Sequence, residues 1–405
     1  MSKTNFDSYG RYIIKNYLQK KPFVNFLPGI SGLKGIPMWV FYVNRGQGIT
    51  SFGVESKDAA IMEFEPANKA YRHTSHFGFT TYIKFENEGK TILYEAFSGK
   101  SRYGTSTNMY IGQDNFEIEE ICMELGFQIN VQYFTIPNES FAALSRQVTI
   151  KNISKEDKKF EFLDGMPIIV PAGIKNNLLK EMGRTVEAWI EVNNLENDAP
   201  YFKIRASLED SAKIERPKAG NFGLSHLKQD VKTKTLKAIV DPKIIFGHDL
   251  SFTSPLKFIQ NPIKELQRLD QKTFGQMPCV FFGDLVELAP GETIQISSLF
   301  GNLEQKGQLD KISKKFSKDY LDHKRIENTS ITQNINKPIY TKTGNENFDA
   351  YTSQTYLDNC LRGGLPITLG EDNTFHIFSR KHGDPERDYN FFYLSPEFYS
   401  QGNGA

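Results

Sequence analysis

Cysteine is scarce. Cys122, Cys279 and Cys360 are the three in 405 residues, far apart and odd in number, with no CxxC spacing. They build no disulfide framework and point to a reducing compartment. Charge of one sign is lacking too: 49 Lys and Arg against 48 Asp and Glu leave a formal net charge of +1. That balance excludes a general electrostatic pull on nucleic acid or on an acidic membrane. Long apolar runs are missing. Nothing approaches the roughly 18 residues that span a bilayer, and Met1 to Lys21 has no apolar stretch of the signal-peptide kind. The expectation is a soluble, cytoplasmic protein without membrane or nucleic-acid partners. Internal repeats, low-complexity tracts and a GxSxG elbow are also absent, and the glycine loop at Gly29–Gly35 lacks the GKS/T ending of a phosphate loop.

What is present is apolar and aromatic. Hydrophobic residues make up 39% and charged residues 24%, enough to bury a large core over two or three domains. Aromatics reach 13%, with 32 Phe and 18 Tyr. Their first explanation is a β-rich core, their second a set of sugar-stacking surfaces.

The first 300 residues read mainly as strands and turns. Thr91–Phe97, Arg146–Ile153, Phe160–Leu163 and Thr293–Phe300 are short, β-branched or aromatic, and partly alternating. Val148–Asn152 followed by the charged Ser154–Lys159 reads as a hairpin with a solvated loop. Many such segments predict a large antiparallel β-sandwich. After Gly301 the period changes. Leu309, Ile312, Phe316 and Tyr320 recur at three- or four-residue spacing, predicting an amphipathic helix from Gln305 to about Asn328. Asn334–Gly344, with Pro338, reads as a linker, and Phe348–Leu361 as a second helix stopped by Gly363-Gly364 and Pro366. Residues 345–405 hold one helix and one motif-rich stretch. That is too little to bury a core alone, so the start of a truncated third domain is expected.

Three stretches are candidate sites. In Phe26–Phe52, Gly29, Gly32 and Gly35 sit three apart between Pro28 and Pro37, ahead of an expected buried strand, Met38–Val43. The stretch is either a structural turn or a loop that projects Arg45 toward a sugar or a neighbouring domain. In Tyr94–Tyr110, the polar Glu95, Lys100, Arg102 and Thr105 lie amid aromatics, as in a carbohydrate-binding loop or a hairpin loop on the next domain. His376–Ala405 packs Arg380, Lys381, His382, Asp384, Glu386, Arg387 and Asp388 ahead of Tyr389, Phe391, Phe392 and Tyr393. Gly383 and Pro385 argue against a surface helix there, and the aromatic run argues against a fully solvated face; both favour a pocket. His73 and His76 form an HxxH without a third ligand nearby, and His248-Asp249 is isolated, so no metal site is expected.

Tyr9–Tyr12, Phe26–Gly35, Trp39–Phe52, Ile61–Tyr71 and Arg380–Gly404 resemble the inverting glycoside phosphorylases of glycoside hydrolase family 94 and its clan relatives. The long amino-terminal blocks resemble the branch acting on β-1,3-oligoglucans more than cellobiose phosphorylase itself. The resemblance thins between about 195 and 270. It implies a β-sandwich over 1–302, a helical linker over 303–344, and from 345 the beginning of a six-hairpin (α/α) barrel. It also implies that phosphate attacks the anomeric carbon of a β-linked terminal glucose and releases α-glucose 1-phosphate with inversion. An inverting hydrolase needs a general acid and a base to activate water, whereas phosphate is already an anionic nucleophile, so only the acid is required. In the family this acid is an Asp within a Gln-Gly-x-Gly-aromatic-Arg-Asp segment. Gln401-Gly402-Asn403-Gly404 matches its start, and Ala405 stands where the next block begins. The expected catalytic residue is therefore none of Asp384, Glu386 and Asp388, and the chain alone is expected to be inactive. Arg380, Asp384, Arg387, Asp388 and Gln401 match the stretch expected to bind substrate. Inorganic phosphate is the implied co-substrate, with no metal or organic cofactor, and a homodimeric parent is expected. The competing expectation is a non-catalytic carbohydrate-binding or scaffold sandwich; a third is a hydrolase or epimerase built on the same barrel.

Overall fold

A computed structural model describes residues 5–27, 30–32, 38–208, 215–363, 366–369, 375–379 and 389–392. In chain order the strands are β1 (Tyr12–Lys15), β2 (Val24–Phe26), β3 (Met38–Val43), β4 (Ile49–Val54), β5 (Ala60–Met62), β6 (Thr80–Asn87), β7 (Lys90–Glu95), β8 (Thr105–Ile111), β9 (Phe116–Cys122), β10 (Phe127–Thr135) and β11 (Ala142–Asn152). They continue with β12 (Lys158–Met166), β13 (Ile190–Asn193), β14 (Tyr201–Ile204), β15 (Gly220–Gln229), β16 (Lys232–Thr235), β17 (Ala238–Ile239), β18 (Val280–Leu288) and β19 (Thr293–Leu303). Three more, β20 (Pro366–Leu369), β21 (Phe375–Ser379) and β22 (Tyr389–Phe392), pair with one another. The helices are α1 (Ala67–Phe77), α2 (Asn176–Glu187), α3 (Pro242–Phe246), α4 (Leu256–Gln260), α5 (Ile263–Leu266), α6 (Leu309–Lys315), α7 (Lys318–Asn336) and α8 (Glu346–Gly363).

Two antiparallel sheets form the predicted sandwich. The larger runs β1-β8-β9-β10-β11-β19-β15-β14-β13, with β16 paired to β15, and the smaller runs β17-β18-β12-β6-β7. Strict alternation decides which side of each strand is buried. In β10, Phe127, Ile129, Val131 and Tyr133 point inward and are buried, while Gln128, Asn130 and Gln132 stay partly open. The inward residues of β9, β10, β11 and β19 meet Ile83, Phe160, Phe162, Met166 and Phe282 of the smaller sheet in one continuous core. A four-stranded sheet, β2-β3-β4-β5, adds Val40, Tyr42, Ile49 and Phe52 to that core.

Helices cover the outer faces unequally. The outer face of the smaller sheet (Tyr82, Leu163, Phe281) is sealed by Ile244, Ile245, Phe246, Phe258, Ile263 and Leu266 from α3 to α5. On the larger sheet, α6 and α7 cover one end only, through Leu309, Ile312, Phe316 and Leu321 against Phe134, Phe222, Leu224 and Leu299.

Three local expectations need correction. β11 and β12 are not a hairpin: β11 pairs with β10 and β19, and β12 with β6 and β18. The charged segment between them crosses from one sheet to the other. The crossing is fixed by Asn152, whose Nδ2 donates to Leu288 O at 2.9 Å and Glu156 O at 2.8 Å. Tyr94–Tyr110 is likewise a crossing, since β7 belongs to the smaller sheet and β8 to the larger. The single helix expected from Gln305 is broken at Phe316, and Ser317 restarts it by accepting the Tyr320 N–H at 3.1 Å. The helix then runs through Asn336, into the stretch expected to be a linker. Residues expected to begin the barrel are described as α8 and the sheet β20-β21-β22.

Candidate functional site

The five residues expected to bind substrate, Arg380, Asp384, Arg387, Asp388 and Gln401, lie outside the described residues. Arg45 does not reach outward: it donates to Asn44 O at 2.6 Å and Lys20 O at 3.0 Å. Asn44 completes that clamp with bonds to Tyr17 O, Lys20 O and Lys21 O. Of the second stretch, Arg102 lies over the Tyr103 ring at 4.9 Å and donates to its hydroxyl, and Thr105 begins β8. Burial pushes the Glu95 carboxyl above its ordinary range. Glu120, an inward carboxylate also raised by burial, holds this crossing by accepting from Tyr94 OH at 2.5 Å and Phe97 N at 2.9 Å. Among the described residues no three His, Cys, Asp or Glu side chains gather as a metal site; His73 lies 4.0 Å from Glu65.

Two polar networks that the motifs did not reveal dominate instead. The first is entirely buried and joins the two sheets of the sandwich to the turn between β3 and β4. Arg146 on β11 and Asp164 on β12 are both 0% exposed. Arg146 Nη2 donates to Asp164 Oδ1 at 2.7 Å and Nε to Oδ2 at 3.2 Å. It also bonds Tyr133 OH, Gln47 Oε1 and Thr81 Oγ1, and lies 4.8 Å above the Phe79 ring. Burial lowers a guanidinium's pKa, but Asp164 more than offsets it and Arg146 ends above its ordinary value. All three guanidinium nitrogens donate, and a buried charge needs such partners. The network is closed to any ligand.

The second network is laid out on the outer face of the larger sheet, where register brings outward residues of successive strands into rows. One row is Tyr110, Glu117, Gln132, Gln147, Ser297 and His226. The next is Asn108, Glu119, Asn130, Thr149, Gln295 and Lys228. Glu119 accepts from Asn108 Nδ2 and Tyr110 OH at 2.9 Å each and from Gln128 Nε2 at 2.8 Å. Glu117 accepts from Arg11 Nη1 at 2.6 Å and Asn130 Nδ2 at 3.1 Å. Burial and the Glu119 bond push the Tyr110 phenol up to about 12. Asn108, Gln128 and Asn130 each give an N–H to a carboxylate, so their carbonyl oxygens are directed away from those bonds. Gln295 Nε2 donates to Gln147 Oε1 at 3.3 Å.

Helix α7 forms the upper wall of this face. Asn328 Nδ2 donates to Asp114 O at 3.3 Å, Thr329 Oγ1 to Asp114 Oδ2 at 2.5 Å, and Asn336 Nδ2 to Gln113 Oε1 at 3.1 Å. At the other end of that wall the His226 ring stacks on Phe316 at 4.6 Å, and burial holds its imidazole below the ordinary value. Below the wall, the amides Gln128, Asn130, Gln132 and Gln295 are partly open beside Thr149, Lys151 and Lys228. Such groups suit paired hydroxyls of a neutral polyhydroxylated ligand.

No protein-family profile and no curated protein sequence matches this chain. Solved structures that resemble it include a bacterial glucoamylase complexed with acarbose, 10% identical, with a TM-score of 0.41 over 86% of this chain and 42% of that one. A galactose mutarotase-like protein from Clostridium acetobutylicum is 9% identical, with a TM-score of 0.33 over 73% of this chain and 99% of that one. A protein provisionally described as a kojibiose phosphorylase from the human microbiome is 9% identical, with a TM-score of 0.38 over 87% of this chain and 37% of that one. The chain thus spans under half the length of the first and third of these. At TM-scores below 0.5 the sheets themselves, and not the likeness, define the fold.

Proposed function

We propose that this chain is the sugar-holding amino-terminal portion of an inverting glycoside phosphorylase that cleaves β-linked oligoglucans with inorganic phosphate. The observation that carries the sugar-holding role is the polar floor of the larger sheet, walled by a helix bonded to it at Asp114 and Gln113. The phosphorylase assignment is supported by the sequence blocks named above. A sandwich over 1–302, a helical linker over 303–344 and a barrel beginning at 345 belong to the same proposal, as do the homodimeric, cytoplasmic parent and the absence of a cofactor beyond phosphate. Arg380, Asp384, Arg387, Asp388 and Gln401 are proposed to bind the terminal glucose.

The division of labour follows from the chemistry. Transfer to phosphate needs one proton donor for the leaving oxygen and a rigid hold on the sugar. No carboxylate in residues 1–405 aligns with the family's acid. The chain is therefore proposed to bind oligoglucans without releasing glucose 1-phosphate from them. Calorimetric titration tests this reading: cello- or laminari-oligosaccharides should bind saturably, and α-linked malto-oligosaccharides more weakly. Equal or tighter binding of the α-linked series would contradict it, and so would turnover by this chain with phosphate.

A further inference from the structure

We propose that the outer face of the four-stranded sheet is a second carbohydrate site, a stacking platform for a neutral pyranose ring. On β3, Met38, Val40 and Tyr42 point into the core, which leaves Trp39 and Phe41 outward. Phe26 on β2 is paired opposite Phe41, their rings 4.3 Å apart. Phe64, just after β5, closes the group at 6.1 Å from Trp39 and 5.8 Å from Phe41. All four rings are partly exposed, and none belongs to any of the apolar clusters of the described residues. The clusters of the described residues therefore do not account for the gathering of Trp39, Phe41 and Phe64.

Two further features make the face a site rather than a chance patch. The indole is fixed in advance: Trp39 Nε1 donates to Ser56 O at 2.9 Å, and its ring lies where a Cβ on Gly53 would come within 2.5 Å of Cζ2. A pre-set ring loses little freedom on binding. Polar capacity is also left unused. Ser51 is paired opposite Phe41 and so shares its face; it is 1% exposed, and its Oγ has no hydrogen-bond partner. Glu65 Oε2 has none either, although Oε1 lies 3.2 Å from Lys180 Nζ. Buried polar atoms without partners are rare because water is lost without replacement.

The chemistry narrows the ligand. A pyranose offers an apolar C–H face to aromatic rings and hydroxyls that both donate and accept. On the rim, Glu63 and Glu65 share the single ammonium of Lys180, at 3.1 and 3.2 Å. That excess of carboxylate disfavours a phosphorylated sugar or a nucleotide. The platform and the choice of a neutral ring stand on this geometry. The choice of a gluco-oligosaccharide rests on the function proposed above.

Trp39 and Trp189 are the two tryptophans. In the full chain carrying Trp189→Phe, emission therefore reports on the platform alone. Titration with laminarihexaose, cellohexaose and mannohexaose should give a saturable change with at least one of them, and glucose 1-phosphate should give none. Phe64→Ala should weaken that binding about tenfold, with Phe41→Leu as the substitute if Phe64→Ala fails to fold by circular dichroism. Gln132→Ala with Gln147→Ala should leave this signal within about twofold, because those residues lie on another sheet. Response to mannohexaose alone would support the platform and sink the glucan reading. The platform is overturned if no neutral sugar changes the emission or if the aromatic variants bind as well as the parent. It is also overturned if Phe64→Ala alters the molar mass by light scattering and leaves sugar binding untouched, since the rings would then be a protein contact.

Discussion

Arg146 and Glu119 are the hubs of two polar networks on opposite faces of one sheet, and they do different work. Arg146 faces inward from β11 with no exposed surface, and its partners come from both sheets of the sandwich and from the turn between β3 and β4. Glu119 faces outward from β9, is 9% exposed, and draws its partners from the neighbouring strands β8 and β10 of its own sheet. A buried ion pair held by further buried hydrogen bonds fixes how layers sit on one another but offers nothing to a ligand. A network confined to one face rigidifies side chains that can still meet solvent. The comparison separates what holds this fold from what the fold presents.

The largest expected effect is on the inward network. Arg146→Met leaves Asp164 buried without its counter-ion and should cost about 3–5 kcal/mol in urea unfolding. Adding Asp164→Leu should recover most of that loss. A single variant within 1 kcal/mol of the parent, at about the noise of extrapolation, would show that the pair does not join the layers. Next is Gly48→Ala, in the turn that carries Gln47 into the network. Gly48 has φ +83°, and a Cβ there would lie 2.3 Å from the Phe116 ring. A loss of about 1–3 kcal/mol is expected from strain and overpacking, read from the same unfolding curves.

The outward network should respond less. Glu119→Gln replaces one acceptor oxygen by a donor that faces other donors, and a cost of about 1 kcal/mol is expected. The smallest effect is at its rim. Burial raises the Asp7 carboxyl, but the Arg11 backbone and side-chain bonds outweigh it and hold the pKa below the ordinary carboxylate range. A depressed carboxyl stabilises the fold above its unfolded value and loses that contribution as pH falls through its folded value. Asp7→Asn should therefore flatten the acid limb below about pH 4 by no more than ~1 kcal/mol. A change confined to neutral pH would contradict the assignment.

Much of this was legible in particular residues. Met38–Val43 is a strand end to end as expected, and Thr293–Phe300 lies within β19. Buried apolar alternation is a local property and survives any topology. Pairing is not local, which is why Val148–Asn152 and Lys159 looked like one hairpin: a hairpin and a crossing between sheets share the same alternation, and the distant partners of β11 and β12 distinguish them. The inward network did leave a trace. Leu144, Arg146, Val148 and Ile150 share one side of β11, and Phe160, Phe162, Asp164 and Met166 one side of β12. Each series carries one charge at a core position, and opposite charges at core parity announce a buried pair. The polar floor left no such trace, because Gln128, Asn130 and Gln132 alternate as any solvated strand does. Their meaning comes from register with β9, β11 and β19.

The central claim is that this floor holds the sugar. Its most direct test is the equilibrium affinity for laminarihexaose, read by calorimetry in the full chain carrying Phe64→Ala to weaken the aromatic platform, before and after Gln132→Ala with Gln147→Ala. The account predicts unchanged unfolding and an affinity lower by about tenfold, the loss of roughly one net hydrogen bond to a neutral ligand. Undiminished affinity in a folded double variant would contradict it.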